Sequence, residues 1–219
     1  MRIGLIGMSA KPYHAGHHAI VEKAADENEE VKLFVSLTDR ARKGEVPIRG
    51  SDMLRVWEEH LIPIMPQNVT VELGSSPSPV QKIYQVLAQA EEVGSEDTFT
   101  VYSDPTDTAV CYPDENRIKY FPTLYSKGRP EVARRLGLDV AAAERQVVFA
   151  CETSPGSLTR GVGTPDVSGT SMRAALASGD RDAFRAGMPR GVDSDAVFDI
   201  LRSHHVTESV LRAFIRSVL

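Results

Sequence analysis

Apolar residues along the chain fall into two alternating kinds of run. The stretch IGLIGM, residues 3–8, is short, continuous and closed by small residues, the pattern of a strand buried on both faces. From His14 onward Ile20, Val21, Ala24 and Ala25 recur at helical spacing, the acidic DENEE ends the segment, and VKLFVSL begins a second buried strand. The alternation then repeats. SDMLRVWEEHLIPIM predicts a helix with Leu54, Trp57, Leu61 and Ile62 on one face, and VTVEL, residues 69–73, alternates as a strand. After the turn-rich SSPSP come a helix carrying Val80, Ile83, Tyr84 and Leu87 and the strand TFTVYS, residues 98–103. QVVFACE, residues 146–152, supplies a fifth strand, and no strand is predicted after it. Helices are expected around TSMRAALASG, DRDAFRAGM, SDAVFDILRSH and ESVLRAFIRSVL, the last with a core-type stripe of Leu211, Phe214, Ile215 and Val218. Residues 104–145 contain four prolines in DPTDTAVCYPDENRIKYFPTLYSKGRP and no sustained period, so only loops and short helices are assigned there. Repeated strand–helix–strand units predict an α/β fold: a doubly wound parallel five-stranded sheet with a helical C-terminal subdomain. The expected division is a sheet domain over residues 1–178 and a helical extension over 179–219 packed on the same domain.

Composition narrows what such a fold can hold. The 219 residues suit one ordinary domain with a small appendage, and 42% hydrophobic with 25% charged residues is a globular balance. A net charge of −5 opposes a broad basic face for duplex nucleic acid but leaves room for a local pocket that takes one small anion. Cys111 and Cys151 match neither a zinc ribbon nor a secreted disulfide framework and read as reduced thiols. The N-terminal apolar run is too short for a signal peptide, and no stretch approaches a membrane span, which points to a cytoplasmic protein.

Half of the six histidines crowd into PYHAGHH, residues 12–18, on the loop that leaves the first strand. In an open parallel sheet that is the ligand-binding edge, and a following helix presents free N–H groups and a positive dipole end that attract phosphate. Pro12 shapes the turn, Gly16 removes a side chain where a ligand would approach, and His14 and His17 share one face of the first turn. Three readings compete: imidazoles aimed at a phosphate, a metal site from His14, His17 and His18, or packed histidines. The metal reading lacks a nearby carboxylate or cysteine ligand and sets a cation against the helix's positive end. A second stretch, DVSGTSMRAAL at residues 166–176, joins a polar loop to a helix, with Ser168 or Thr170 as cap and Arg173 as a charged donor. The segment TDRARKGEVPIRGSDMLRVW carries Arg40, Arg42, Lys43, Arg49 and Arg55, either a solvated loop or an anchor for an acceptor's phosphate. Asp104, in YSDPTDT, is either a turn-former before Pro105 or a contact to a ribose, a metal or arginines.

HAGH and VSGTSMR, in that order in an alternating α/β chain, resemble the His-x-Gly-His and Ile-Ser-Ser/Gly-Thr-x-x-Arg motifs of the nucleotidyltransferase superfamily. GMSAKPYHAGH is similar to the opening of nicotinamide mononucleotide adenylyltransferases and related enzymes, with Met8, Ser9 and Ala10 departing from the usual pattern. The resemblance implies a Rossmann-like fold in which His14 and His17 contact the reacting α-phosphate and Thr170, Ser171 and Arg173 hold the outer phosphates. Those departures leave Lys11 unassigned by the motif; from its place on the loop it is expected to face phosphate, with a nucleotide bed of Gly7, Met8, Ser9, Gly16, Ser168 and Gly169, and acceptor contacts are expected from Arg40, Arg49, Arg55 and Asp104. The related histidine motif of class I aminoacyl-tRNA synthetases is set aside, because the chain is too short for that architecture and lacks Lys-Met-Ser-Lys-Ser. The implied reaction moves a nucleoside monophosphate to a small phosphorylated acceptor and releases pyrophosphate. Mg²⁺ accompanies the nucleotide, and no metal ligand is assigned to the protein. Ser-Gly-Thr-x-x-Arg favours AMP from ATP; cytidylyl transfer from CTP and a noncatalytic nucleotide-binding module are the alternatives. Neither duplex nucleic acid nor a membrane is an expected partner, and a homo-oligomer is compatible with the sequence.

Overall fold

The structure is a computed structural model and describes residues 1–41, 45–103, 146–149 and 166–203. In chain order the elements are β1 (Arg2–Met8), α1 (Ala15–Glu27), β2 (Glu30–Ser36), α2 (Gly50–Val56), a π-helical turn (Trp57–Leu61), a 3₁₀ turn (Ile62–Ile64), β3 (Val69–Gly74), α3 (Pro79–Glu92), β4 (Thr98–Tyr102), β5 (Val147–Phe149), α4 (Gly169–Ser178) and α5 (Arg181–Gly187). A further helix, α6, occupies residues 194–203. The expected features of residues 104–145, the cysteines Cys111 and Cys151, and the apolar stripe from Leu211 to Val218 lie outside the described residues. Contacts gather the chain into two compact units. One holds Met1–Ser9, Ala19–Ser36 and the described part of Pro66–Thr164; the other holds Ala10–His18, Leu37–Met65 and the described part of Pro165–Leu219.

The first unit is the sheet. All five strands are parallel in the order β3-β2-β1-β4-β5, with Ile6 of β1 level with Leu33 of β2 and Tyr102 of β4. Strand order therefore reverses beside β1, as in doubly wound sheets. Period-two alternation assigns the faces of β1. Ile3 and Leu5 join Phe34, Phe99, Val101 and Val147 in a core that Ile83, Leu87 and Ala90 of α3 cover. Gly7 shares that face, where a Cβ would lie 3.2 Å from Pro79 and from Ile83, so its small size serves the close approach of α3. Gly4 points the other way, and a Cβ there would meet Asn28, which follows α1, at 3.1 Å. Met8 is half-buried and Ser9 exposed. Helix α3 begins at a reciprocal cap: the Ser78 hydroxyl accepts from the Gln81 amide and the Gln81 side chain accepts from the Ser78 amide, with Pro79 at the first helical position.

In the second unit the helical stripe anticipated from Leu54 to Ile62 is only partly realised. Met53, Val56, Trp57 and Leu61 are buried, Leu54 is half-buried, and Ile62 is exposed. The π turn at Trp57–Leu61 shifts the helical phase, and Pro63 confines the next turn to a short 3₁₀ segment, so Ile62 rotates off the apolar face. Helix α4 is stopped by Gly179 in the left-handed region at φ 79°. Phe184 of α5 and Phe198 of α6, both fully buried, meet edge to face with centroids 5.3 Å apart. Among the described residues no helix is long and apolar enough to cross a membrane.

A polar lock closes the sheet unit. The Tyr102 hydroxyl donates to Glu27 Oε2 at 2.6 Å and accepts from Asn28 Nδ2 at 2.8 Å, and the same Asn28 amide donates to the Ala24 carbonyl. Burial, joined by the Glu27 carboxylate, raises the Tyr102 phenol above its ordinary range. Burial pushes the Glu27 carboxyl upward, but hydrogen bonds from Lys23 and Tyr102 outweigh it and hold the carboxyl below its usual value. A carboxylate lowered in this way stabilises the fold above its unfolded pKa and loses that contribution as pH falls through the folded value. Tyr102→Phe is therefore expected to destabilise the chain by about 1–2 kcal/mol at neutral pH, with the deficit shrinking as Glu27 protonates. Denaturant unfolding of both proteins between neutral pH and the carboxylate range checks this, and a deficit that does not vary with pH contradicts the lock.

Candidate functional site

The residues singled out by sequence meet chiefly in the second unit, on three stretches far apart in the chain. The first is the loop leaving β1. Ala10 takes φ 40°, the Lys11–Pro12 bond is cis, and Lys11, Pro12, Tyr13 and His14 are all buried. His14 stands just before α1, its carbonyl accepting from the amides of His17 at 2.9 Å and His18 at 3.1 Å. Its ring stacks on that of His17 at 3.7 Å between centroids and 25° between planes. Tyr13 continues the column, 5.5 Å from the His17 ring and edge-on to the buried Trp57 at 4.9 Å. His18 turns to the other side of Tyr13, with Nδ1 3.1 Å from the Tyr13 hydroxyl. The histidines thus divide into a stacked pair and a separate His18. Among the described residues no group of three or more His, Cys, Asp or Glu is set to hold a metal ion.

Gly16 has a different task from the one its position suggests. A Cβ there would lie 3.2 Å from Cε1 and Nδ1 of His14, so it is the His14 ring that fills the space. The glycine lets the imidazole fold back over the helix start.

The second stretch is the start of α4. Ser168 is the N-cap, accepting from the Ser171 amide at 3.0 Å, while Ser171 Oγ accepts from the Ser168 amide at 3.0 Å and donates to its carbonyl at 2.8 Å. Both serine hydroxyls are thus drawn into the capping box, although Ser171 is implied by resemblance to be a phosphate contact. Thr170, the other candidate cap, accepts instead from Nη2 of Arg173 at 3.1 Å. Arg173, only 7% exposed, donates through Nη1 to the Lys11 carbonyl at 2.9 Å, across 162 positions of sequence. Gly169 makes room for this: a Cβ there would fall 2.9 Å from Arg173 Nη1 and 3.8 Å from the Lys11 carbonyl oxygen.

The third stretch is the segment after β2. The Lys11 ammonium donates to the carbonyl and hydroxyl of Thr38, and burial lowers its pKa against the opposing pull of Asp39. Arg40 is bridged by backbone hydrogen bonds to Ile48 and ion-paired to Glu45, and Glu45 Oε2 also lies 3.0 Å from Arg173 Nε. The proposed acceptor arginines therefore separate. Arg40 joins the Arg173 cluster, and Arg49 is exposed in front of α2. Arg55 pairs with Glu59 at 2.8 Å and lines an open groove of about 490 Å³ with Asp52, His60 and Asp199, in which none of His14, His17, Lys11 or Arg173 takes part. Asp104, Arg42 and Lys43 lie outside the described residues. Tyr13, Thr38 and Glu45 are the neighbours that spacing did not identify. Tyr13 stands beside the histidines, and Glu45 is the single acid between Lys43 and Arg49, so a search for the counter-charge of a basic run finds it.

Residues 3–54 match the family model for the citrate lyase ligase C-terminal domain. No curated protein gives a significant match. Among solved structures the chain is similar to Thermotoga maritima TmcAL bound with alpha-thio ATP, at 13% identity and a TM-score of 0.45, with 94% of this chain and 56% of that chain covered. The chain thus spans little more than half the length of that protein. The parallel sheet and its strand order define the fold independently of this likeness.

The atom that an added Cβ would meet is the buried Nη1 of Arg173, so Gly169→Ala is expected to move the guanidinium off the Lys11 carbonyl and to destabilise the chain by about 1–3 kcal/mol. A crystal structure of the variant together with its thermal unfolding tests this; an unmoved guanidinium contradicts it.

Proposed function

We propose that the chain is a nucleotidyltransferase that moves a nucleoside monophosphate, AMP from ATP, to a small phosphorylated acceptor and releases pyrophosphate. The observation that carries this reading is the buried Arg173–Lys11 contact, which brings the Ser-Gly-Thr-x-x-Arg stretch against the loop bearing His14 and His17. A cationic guanidinium and two stacked imidazoles on one small unit suit a polyphosphate better than any neutral ligand. The family match supports the reading because residues 3–54 include Lys11, His14 and His17.

In this reading an acceptor phosphate oxygen attacks the α-phosphorus in line. The new P–O bond forms as the bond to the β-phosphate's bridging oxygen breaks, and both electrons of that bond leave with pyrophosphate. A phosphomonoester is already ionised near neutral pH, so the protein contributes placement and charge stabilisation, with no covalent intermediate. His14 and His17 donate to the α-phosphate oxygens, and Arg173 with Thr170 addresses the outer phosphates. Mg²⁺ enters as part of the nucleotide substrate. Two carboxylates lie among these contacts, Glu45 paired with two arginines and Asp39 acting on Lys11, and Mg²⁺ would be carried on the phosphate oxygens.

Pyrophosphate release measured for ATP, CTP, GTP and UTP against a panel of phosphorylated alcohols, sugars and nucleotides, with Mg²⁺, tests the proposal. Turnover with ATP and one acceptor class is expected, and His17→Ala should lower kcat by about 10²- to 10³-fold with little change in thermal stability. Nucleotide binding without turnover across the whole panel overturns catalysis in favour of a binding module; preference for CTP overturns the choice of base.

A further inference from the structure

The contacts of Glu45 go beyond the roles assigned so far. Its Oε2 atom lies 3.1 Å from Arg40 Nε and 3.0 Å from Arg173 Nε, and its Oε1 atom 3.4 Å from Arg40 Nη2. One carboxylate thus joins two guanidinium groups 133 positions apart in sequence, which would otherwise repel each other. Its own backbone is anchored on the next residues: Val46 and Ile48 are each 1% exposed, and Ile48 exchanges backbone hydrogen bonds of 2.8 and 2.9 Å with Arg40. Arg173 is thereby held from three chain segments, by the Lys11 carbonyl, the Thr170 hydroxyl and the Glu45 carboxylate.

We propose that Glu45 is a positioning residue for the phosphate-binding arginines, fixing Arg173 and Arg40 so that both guanidinium groups address the polyphosphate tail of one nucleotide. The inference rests on the transfer reading for its ligand. Glu45 hydrogen-bonds Arg40 and ion-pairs with Arg173, so its charge holds two like-charged guanidinium groups side by side while the Lys11 carbonyl and Thr170 hydroxyl set the direction of Arg173. Arg40 accordingly belongs with the triphosphate and not with the acceptor.

The test compares the full chain with Glu45→Gln and Glu45→Ala. Inorganic triphosphate binding is measured by calorimetry, and KM for the nucleotide, KM for the acceptor, kcat and thermal stability are measured alongside. Loss of about tenfold or more in triphosphate affinity is expected for Glu45→Ala, with a matching rise in nucleotide KM and an unchanged acceptor KM. Glu45→Gln keeps an oxygen acceptor and is expected to fall between it and the unaltered protein. Should the alanine variant fail to fold, the glutamine variant decides. Unchanged or tighter triphosphate binding by a folded variant overturns the proposal, the tighter case showing that the carboxylate merely competes with phosphate. No triphosphate binding by the unaltered chain overturns it as well. Because inorganic triphosphate has neither base nor acceptor, a chain that turns over no nucleotide yet loses triphosphate binding in Glu45→Ala fails the transfer reading alone.

Discussion

A guanidinium taken almost wholly out of water must be matched on every side, and the second unit is organised around meeting that demand at Arg173. Leaving such a charge unpaired costs about 3–5 kcal/mol. The contacts that meet it come from the loop after β1, from α4 itself and from the segment after β2. Each carries something else of chemical interest: the stacked imidazoles, the capped helix start, and the paired Arg40 and Glu45. Satisfying one buried cation therefore fixes three pieces of the site at once. The small residues follow the same logic. Gly169 leaves room for the guanidinium, and Gly16 leaves room for the His14 ring.

The sheet was legible because β1 and β2 are continuous apolar runs, β3 alternates with period two, and helical periods separate the strands. The strand order β3-β2-β1-β4-β5 was not assigned from sequence, because apolar runs reveal which segments are strands but not which of them pair. The stripe through Ile62 misled because one π turn alters the phase of a helix without leaving a mark in the spacing of apolar residues. Convergence of the His14/His17 loop with Arg173 was legible from two motifs at opposite ends of an α/β chain. The partners of that arginine were not. Which acid answers which base is decided by loop geometry, and Glu45 reads in sequence only as a lone acid in a basic segment. Gly16 was read as space for a ligand because spacing reveals an absent Cβ but not which neighbour uses the gap.

The two units divide their labour in a recognisable way. The sheet unit is held by apolar packing of α3 on β1, β2, β4 and β5 and by the Tyr102, Asn28 and Glu27 lock. The second unit contains most of the polar residues with candidate chemistry, and its backbone is pinned by caps, a backbone bridge and ion pairs. Such a partition lets the loops that carry candidate chemistry vary while the sheet stays constant.

The long separation between Lys11 and Arg173 also orders events during synthesis. Strands β1 to β4 end at Tyr102 and can assemble as soon as they clear the ribosome, whereas the second unit closes only when residues beyond 173 have emerged. Until then the histidine loop exists without its cationic partner. A nascent chain of this protein therefore carries its first four strands before the Lys11 carbonyl meets Arg173.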